Sequence, residues 1–289
     1  MSCSRAWIIG VLLAALALLG GCTTARFAYG QAPMLAYWWL DGYIDFDDPQ
    51  EAAVRDAIAD WFRWHRATQL SDYAELLARA ETQVMEPTTG EQVCRWVDEI
   101  GLRFDRAVER AIVAGSDTLR AVSAEQVRHL ERKYAKGNAE FAKEFLQTTP
   151  EERLQASIKR VVQRAEFFYG KLEPAQRERI VQGVTQSPYD ADLWTIERRL
   201  RQQDVLQTLR SLGAEHASAE EALTALRAVY ERTRRSPREP YRAYQQRLAQ
   251  TNCALAAEVH NLATPAQRRE MARRFKGWEG DARALAAER

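Results

Sequence analysis

Apolar residues recur every three or four positions along most of the chain, with polar and charged residues between them. The clearest stretches of this pattern are residues 124–147, 150–172 and 240–262, and weaker ones cover 51–66, 73–84, 91–113, 191–212 and 219–230. This period is typical of helices that bury one side against their neighbours. No strand-like alternation and no Asn-Gly hairpin is found. The pattern therefore predicts an all-α protein, an elongated multi-helix bundle. Within residues 124–147, Asn138 lies on the apolar side of the predicted helix, where an apolar residue is expected.

Predicted helix starts share one chemistry, in which an oxygen-bearing side chain is followed three residues later by Gln or Glu. Such pairs close capping boxes at helix N-termini. The predicted capping residues are Asp48, Ser123, Thr149, Glu173 and Thr264, and a proline follows four of them. Proline suits the first helical position because its missing N–H is not needed there. The breaks between helices, including one near residues 115–116, are short. We therefore predict one helical domain over residues 37–289.

The first residues follow a different pattern, with Arg5 ahead of an apolar run over residues 8–19. About 12 apolar residues are too few for the roughly 20 of a membrane span, but they suit an export signal. The run ends in Leu19-Gly20-Gly21-Cys22, which resembles the lipobox of bacterial lipoproteins. The resemblance implies a signal peptide over residues 1–21 and a lipid anchor on the Cys22 thiol. The alternative is an ordinary signal peptide cleaved at the same place, with an unmodified cysteine.

The residue after the cysteine and the segment that follows bear on location. Thr23 stands where an aspartate would be expected for inner-membrane retention, so the resemblance implies the periplasmic face of the outer membrane. Residues 22–36 show no strong period and are predicted to form a tether. At roughly 3.5 Å per residue this tether reaches at most about 50 Å. The folded body is therefore expected to lie near its membrane.

Charge argues against nucleic acid as a partner. Removal of residues 1–21 takes away one of 41 basic residues and none of the 40 acidic ones, which leaves the mature side chains balanced. Binding to nucleic acid requires a basic face that displaces counterions from phosphates. Neither this neutral composition nor an exported location favours such a partner.

Two cysteines, Cys94 and Cys253, remain once Cys3 leaves with the signal and Cys22 is modified. An oxidising compartment favours a disulfide between them. Two separate half-buried thiols are the alternative, because a free cysteine also packs as a small apolar residue. The sequence gives no distance between them, so both interpretations stay open.

The most distinctive segment is rich in aromatic residues. The candidates for a binding role are Tyr37, Trp38, Trp39, Trp61, Trp64 and His65. One interpretation places them in the core, with His65 hydrogen bonded on the face that carries Val54 and Ile58. The other is a cleft in which the aromatic rings stack on a sugar or peptide and His65 adds a polar contact.

The segment 37–48, the Trp64-His65 pair and the Leu70-Ser71 turn resemble a family of uncharacterised proteobacterial lipoproteins. This resemblance covers the mature chain and implies a helical fold and an envelope location, but no activity and no functional residues. The helix openings at residues 123–126, 173–176 and 264–267 are also similar to the Leu-Thr-x-x-Gln motif of small periplasmic helical chaperones. That second, weaker resemblance implies apolar helix faces that hold unfolded clients.

Sequence motifs for catalysis or metal binding are not found. The chain contains no His-x-x-x-His pair, no nucleophile elbow and no Gly-rich phosphate loop. The acids between Asp45 and Glu51 lack the glycine of a calcium loop and suit a helix N-terminus instead. We therefore predict no catalytic residue, metal or cofactor.

The function that these patterns favour is a non-enzymatic interaction or chaperone-like module, whose partners are envelope proteins or unfolded clients. A structural or peptidoglycan-associated lipoprotein and an enzyme of unknown type are the alternatives.

Overall fold

A computed structural model describes residues 22–214 and 216–288 of the protein, with side chains from Arg26 onward. Within these ranges the chain forms eleven α-helices and no β-strand, which confirms the predicted all-α multi-helix bundle. The helices are α1 (Cys22–Ile44), α2 (Asp48–Thr68), α3 (Leu70–Gln83), α4 (Gly90–Arg120), α5 (Ala124–Phe145), α6 (Pro150–Tyr169), α7 (Pro174–Thr185), α8 (Ala191–Ala214), α9 (Ala219–Arg234), α10 (Glu239–Asn261) and α11 (Pro265–Ala287). The predicted signal peptide and the Cys22 side chain lie outside the described residues.

Capping boxes begin most of these helices. The predicted boxes at Ser123, Thr149 and Thr264 are present, and at Glu173 the backbone N–H donates to Gln176 Oε1 over 3.0 Å. Two further boxes, not predicted, begin at Thr89 and Ser218. Each box satisfies backbone N–H groups that have no partner inside the helix.

The start of α2 differs from the prediction by one residue. The capping residue is Asp47 rather than Asp48, because Gln50 lies three positions after Asp47 and completes the box. The Gln50 N–H donates to Asp47 Oδ1 over 2.9 Å, and the Asp47 N–H donates to Gln50 Oε1 over 3.2 Å. Pro49 then occupies the second helical position, where it lacks no needed hydrogen bond.

Residues 22–36, predicted to be a tether, instead form the first part of α1. Tyr29 packs edge-on against Phe62 of α2, with 5.6 Å between the ring centroids, and Arg26 pairs with Glu288 beyond α11. These contacts with the bundle hold the segment as a helix despite its weak period and an internal proline, Pro33.

The predicted break near residues 115–116 is also absent, because α4 continues to Arg120. Helices α2, α8, α9 and α10 all pack along α4, and these contacts outweigh the poor helix propensity of a Gly-Ser pair. The Trp61 indole N–H, for example, donates to the Ala107 carbonyl oxygen over 2.9 Å. Helix α4 is therefore a continuous support for one side of the bundle.

Two apolar clusters organise the packing of these helices. One joins α1, α5 and α8 through Ile44, Val122, Val127, Leu130, Leu206 and Leu209. The other joins α6, α7 and α10 through Tyr169, Leu172, Ile180, Leu255, Val259 and Ala263. Burial of a large apolar side chain stabilises a fold by about 1.5–3 kcal/mol.

Each described helix is too short or too polar to cross a bilayer.

A disulfide joins α4 to α10. Cys94 and Cys253 are bonded, with 5.5 Å between their Cα atoms, so the two cysteines are not separate thiols. The helices approach closely nearby, since a Cβ atom added to Gly90 would lie 3.2 Å from the Cα atom of Ala254. The bond thus joins residues 159 positions apart in the sequence at a tight helix crossing.

Candidate functional site

His65 belongs to a packed layer of rings rather than to an open cleft. Its imidazole stacks on Trp61, with 4.8 Å between the ring centroids, and Nδ1 hydrogen bonds to the Tyr29 hydroxyl over 2.9 Å. The Tyr73 ring packs edge-on against the imidazole, with 5.3 Å between the ring centroids. Burial lowers the pKa of His65, which favours the neutral ring. These contacts agree with the interpretation of His65 as a hydrogen-bonded core residue.

The remaining aromatic candidates lie in different environments. Tyr37 is buried beneath the Arg55 guanidinium, whose carbon lies 3.6 Å from the ring centroid. Trp38 and Trp39 are 57% and 63% exposed. Trp64 is half-buried. The six candidates therefore do not form one binding surface.

Trp39 and Trp61 do contribute to one feature, a cavity of about 910 Å³ between the helices that is partly open to solvent. Seven helices line this cavity, namely α1, α2, α4, α5, α8, α9 and α10. Cavities of roughly 300–1,000 Å³ with mostly apolar walls are the usual sites for small ligands. His65, Tyr37, Trp38 and Trp64 are outside its lining.

Small residues keep the cavity open. Ala57 on α2, Ala114 and Gly115 on α4, and Gly137 on α5 all face it. They occur on the inner sides of helices, where larger apolar side chains would otherwise fill the space. Large apolar and aromatic side chains complete the walls, among them Trp39, Tyr43, Ile58, Val108, Ile112 and Val205.

One part of the lining is polar, and two of its residues, Arg198 and Gln202, hydrogen bond to Asn138, which interrupts the apolar face of α5. Its Oδ1 accepts from Arg198 Nε over 2.8 Å, and its Nδ2 donates to Gln202 Oε1 over 2.7 Å. The Arg198 guanidinium lies over the Trp194 ring at 5.7 Å and beside Gly137. A polar residue at position 138 thus positions an arginine of α8 at the cavity wall.

A buried carboxylate, Glu197, lies in the same part of the lining. Arg238 Nε donates to its Oε2 and Arg238 Nη2 to its Oε1, each over 2.7 Å. Arg201 Nε donates to Oε1 over 3.0 Å. Burial acts to raise the pKa of Glu197, but hydrogen bonds from Arg238 and Ser236 and the arginine charges outweigh it. The pKa is therefore lowered, and Glu197 is ionised near neutral pH.

Positive charge exceeds negative charge in this polar part of the lining. Lys133, Arg198 and Arg201 line the cavity together with a single carboxylate, Glu197, whose charge is shared with Arg238. Arg201 Nη2 is buried and has no hydrogen-bond partner. The site is an apolar chamber with a cationic region.

Sequence reasoning identified only Trp39 and Trp61 of this site. It missed Lys133, Arg198 and Arg201, which resemble surface residues when each helix is considered alone. The signal that could have found the region is Asn138, since a polar residue within an apolar stripe requires a buried partner. Within residues 22–214 and 216–288, no His, Cys, Asp and Glu side chains group as metal ligands would.

Comparison with known proteins identifies a family. The family model of DUF6279, described as a family of unknown function, matches residues 42–232, more than half of the chain. This match confirms the predicted membership of an uncharacterised family. No curated protein and no solved structure matches the chain, and no named relative supports the resemblance to helical chaperones. Most of the cavity lining, including Lys133 and Arg198, lies within the matched residues.

Proposed function

The chain belongs to the DUF6279 family, whose function is unknown, and we propose that it is a lipid-anchored binding protein of the bacterial envelope. Its ligand is apolar and enters the cavity between the helices. The observation that carries this proposal is the cavity itself, about 910 Å³ in volume and lined mainly by apolar side chains.

A cavity of this kind needs an explanation because its walls expose a contiguous apolar surface to water. Apolar side chains at the wall also lack the dispersion contacts that a filled core provides. A bound apolar ligand would restore those contacts. A concave site lined by seven helices favours a small or extended ligand over a folded protein, whose surface would need a broad exposed face.

A binding role without chemistry is supported by the polar groups in the lining. Lys133, Arg198 and Gln202 present cationic and amide groups, which bind and orient a ligand. His65, the residue best suited to acid–base chemistry in the aromatic segment, is instead surrounded by Trp61 and Tyr29.

The location proposed here is the periplasmic face of the outer membrane, with the anchor at Cys22. Support comes from α1, which exposes large apolar side chains on one face. Phe27, Leu35 and Trp38 are 71%, 53% and 57% exposed. Helical spacing places the three on one side of α1. Apolar side chains of this kind on a helix next to a lipid attachment point suit contact with a membrane surface.

Filling the cavity is expected to abolish ligand binding. Ala57→Phe places a large ring in the chamber, so the purified protein should bind N-phenyl-1-naphthylamine at least about ten-fold more weakly, which corresponds to a loss of roughly 1.4 kcal/mol or more. The fluorescence of this apolar probe reports binding directly. Gly115→Leu fills the same space from α4 and provides a second variant.

The matched control is Ala53→Phe, which adds the same ring to the exposed side of α2. It should bind the probe as the wild-type protein does. Circular dichroism and thermal unfolding establish that each variant is folded. Probe binding that is not saturable in the wild-type protein, or that is equal in both filled variants and the control, contradicts the proposal.

The anchor has a separate test. Full-length protein expressed in a Gram-negative host should be recovered with the membranes, and mass spectrometry should find lipid on the N-terminal cysteine of the mature chain. Cys22→Ser should lose the lipid and the membrane association, whereas Thr23→Ser should keep both. A mature N-terminus without lipid would overturn the proposed location but not the binding proposal.

A further inference from the structure

We infer that the ligand is an amphiphile with an acyl chain and an anionic head group, and that Lys133 and Arg198 bind the head group. The inference rests on the proposed function, since it specifies the chemistry of the ligand that the cavity takes.

The two cations come from different helices and line the same chamber. Lys133 and Gly137 are four residues apart on α5 and therefore about one turn, roughly 6 Å, apart along its axis. A Cβ atom added to Gly137 would lie 3.6 Å from Arg198 Nη2, so the guanidinium of α8 lies directly beside this turn. The anionic head group is therefore assigned to this turn of α5.

Neither cation has an acidic partner among the described residues. Arg198 donates to the Asn138 amide and also lies over the Phe141 and Trp194 rings. None of these three groups carries a charge. Lys133, a half-buried residue, makes no ion pair or hydrogen bond in the described part of the chain. The nearest carboxylate in the lining, Glu197, is occupied by Arg201 and Arg238. Partly buried cations without counter-charge favour an anion brought by the ligand.

The rest of the lining favours a ligand that has an extended apolar portion. It runs from Trp39 on α1 to Leu226 on α9, two helices that are not packing partners. A flexible acyl chain can follow such a path, whereas a compact polar metabolite would leave the apolar walls exposed to water. Carboxylate and phosphate head groups share the negative charge that Lys133 and Arg198 would bind.

The test uses three ligands that have the same palmitoyl chain and differ in the head group. Palmitate presents a carboxylate, palmitoyl lysophosphatidate presents a phosphate, and monopalmitoylglycerol is neutral. Each is titrated into delipidated mature protein, and displacement of N-phenyl-1-naphthylamine gives its affinity. At least one anionic ligand should bind about ten-fold or more tightly than the neutral one, as expected for charge-assisted hydrogen bonds.

Variants assign the effect to the two residues. Lys133→Gln and Arg198→Gln should each weaken binding of the preferred anionic ligand about ten-fold and thereby remove most of its advantage in affinity over monopalmitoylglycerol. Lys133→Gln removes no contact within the described structure, so its result does not depend on a change in folding. The control is Arg199→Gln, which makes the same change in charge at the adjacent, exposed position of α8 and should have no effect.

The outcomes separate this inference from the proposed function. Tighter binding of palmitate alone identifies a carboxylate head group, and tighter binding of lysophosphatidate alone identifies a phosphate; either supports the inference. Equal binding of all three ligands, or anionic affinity unchanged in both variants, overturns the head-group assignment while the binding function stands. If neither the probe nor any of the ligands binds, the proposed function itself is wrong.

Discussion

Removal of the disulfide, by reduction or by the Cys94→Ser, Cys253→Ser double substitution, is expected to lower the free energy of unfolding by about 2–5 kcal/mol. The bond closes a loop of 159 positions, so its loss gives the unfolded chain many more conformations. The close approach of α4 and α10 near Gly90 suggests that the folded state will retain its geometry.

Urea unfolding in the presence and absence of dithiothreitol measures this effect. The reductant should lower the transition midpoint of the wild-type protein and leave that of the double variant unchanged, because the variant has no bond to reduce. Identical midpoints for oxidised and reduced wild-type protein would show that the bond does not stabilise the fold.

Substitution of Glu197 by Gln is the second change with a large expected effect, a loss of about 3–5 kcal/mol in the free energy of unfolding. The carboxylate is buried and accepts hydrogen bonds from Arg201 and Arg238, so its neutralisation leaves two neighbouring guanidinium groups without a counter-charge. Glutamine retains the shape of the side chain, which separates the effect of charge from that of packing.

The control for this prediction is Glu131→Gln on α5. Glu131 also pairs with an arginine, Arg210, over 2.8 Å, but both side chains are more than half exposed. Loss of this ion pair should lower the free energy of unfolding by less than about 1 kcal/mol. Equal losses from the two substitutions would show that burial of Glu197 is not the cause.

Ionisation of Glu197 also makes the free energy of unfolding depend on pH. The pKa of Glu197 is lower in the folded protein than its ordinary value of 4.5, so the unfolded chain binds its proton more readily. The stabilising contribution is therefore present above pH 4.5 and is lost as the pH falls through the folded-state pKa. The difference in stability between wild-type protein and Glu197→Gln should narrow over that acidic range.

The helices were predictable because two local signals coincide. The apolar period identifies the buried face of a helix, and capping boxes such as that at Thr149 identify its first residue. Helix α1 was missed because its apolar residues surround the helix, and tertiary contacts such as Tyr29 with Phe62 are what hold it. The pairing of Cys94 with Cys253 stayed open because it depends on a distance between α4 and α10.

The cavity was not predictable for a different reason. It depends on small residues from several helices, such as Ala57 and Gly137, which face one another only after folding. In the sequence, each resembles an ordinary tolerated small residue. The aromatic segment did direct attention to Trp39 and Trp61, but it also included His65, which the fold places in a packed layer. Asn138 was the sequence signal that pointed towards the polar part of the lining, through its hydrogen bonds to Arg198 and Gln202.

Helix α1 has a consequence for the route by which a ligand would travel. Trp39, which is exposed and lines the cavity, lies 17 residues beyond Cys22 on this continuous helix. At 1.5 Å per residue, the two positions are about 26 Å apart along the axis, which is less than the roughly 30 Å hydrocarbon thickness of a bilayer. With the proposed anchor at Cys22, a helix of this length would set an upper limit on the height of Trp39 above the leaflet. A lipid leaving that leaflet would then have only a short aqueous gap to cross, and exchange would be faster at the membrane than from free solution.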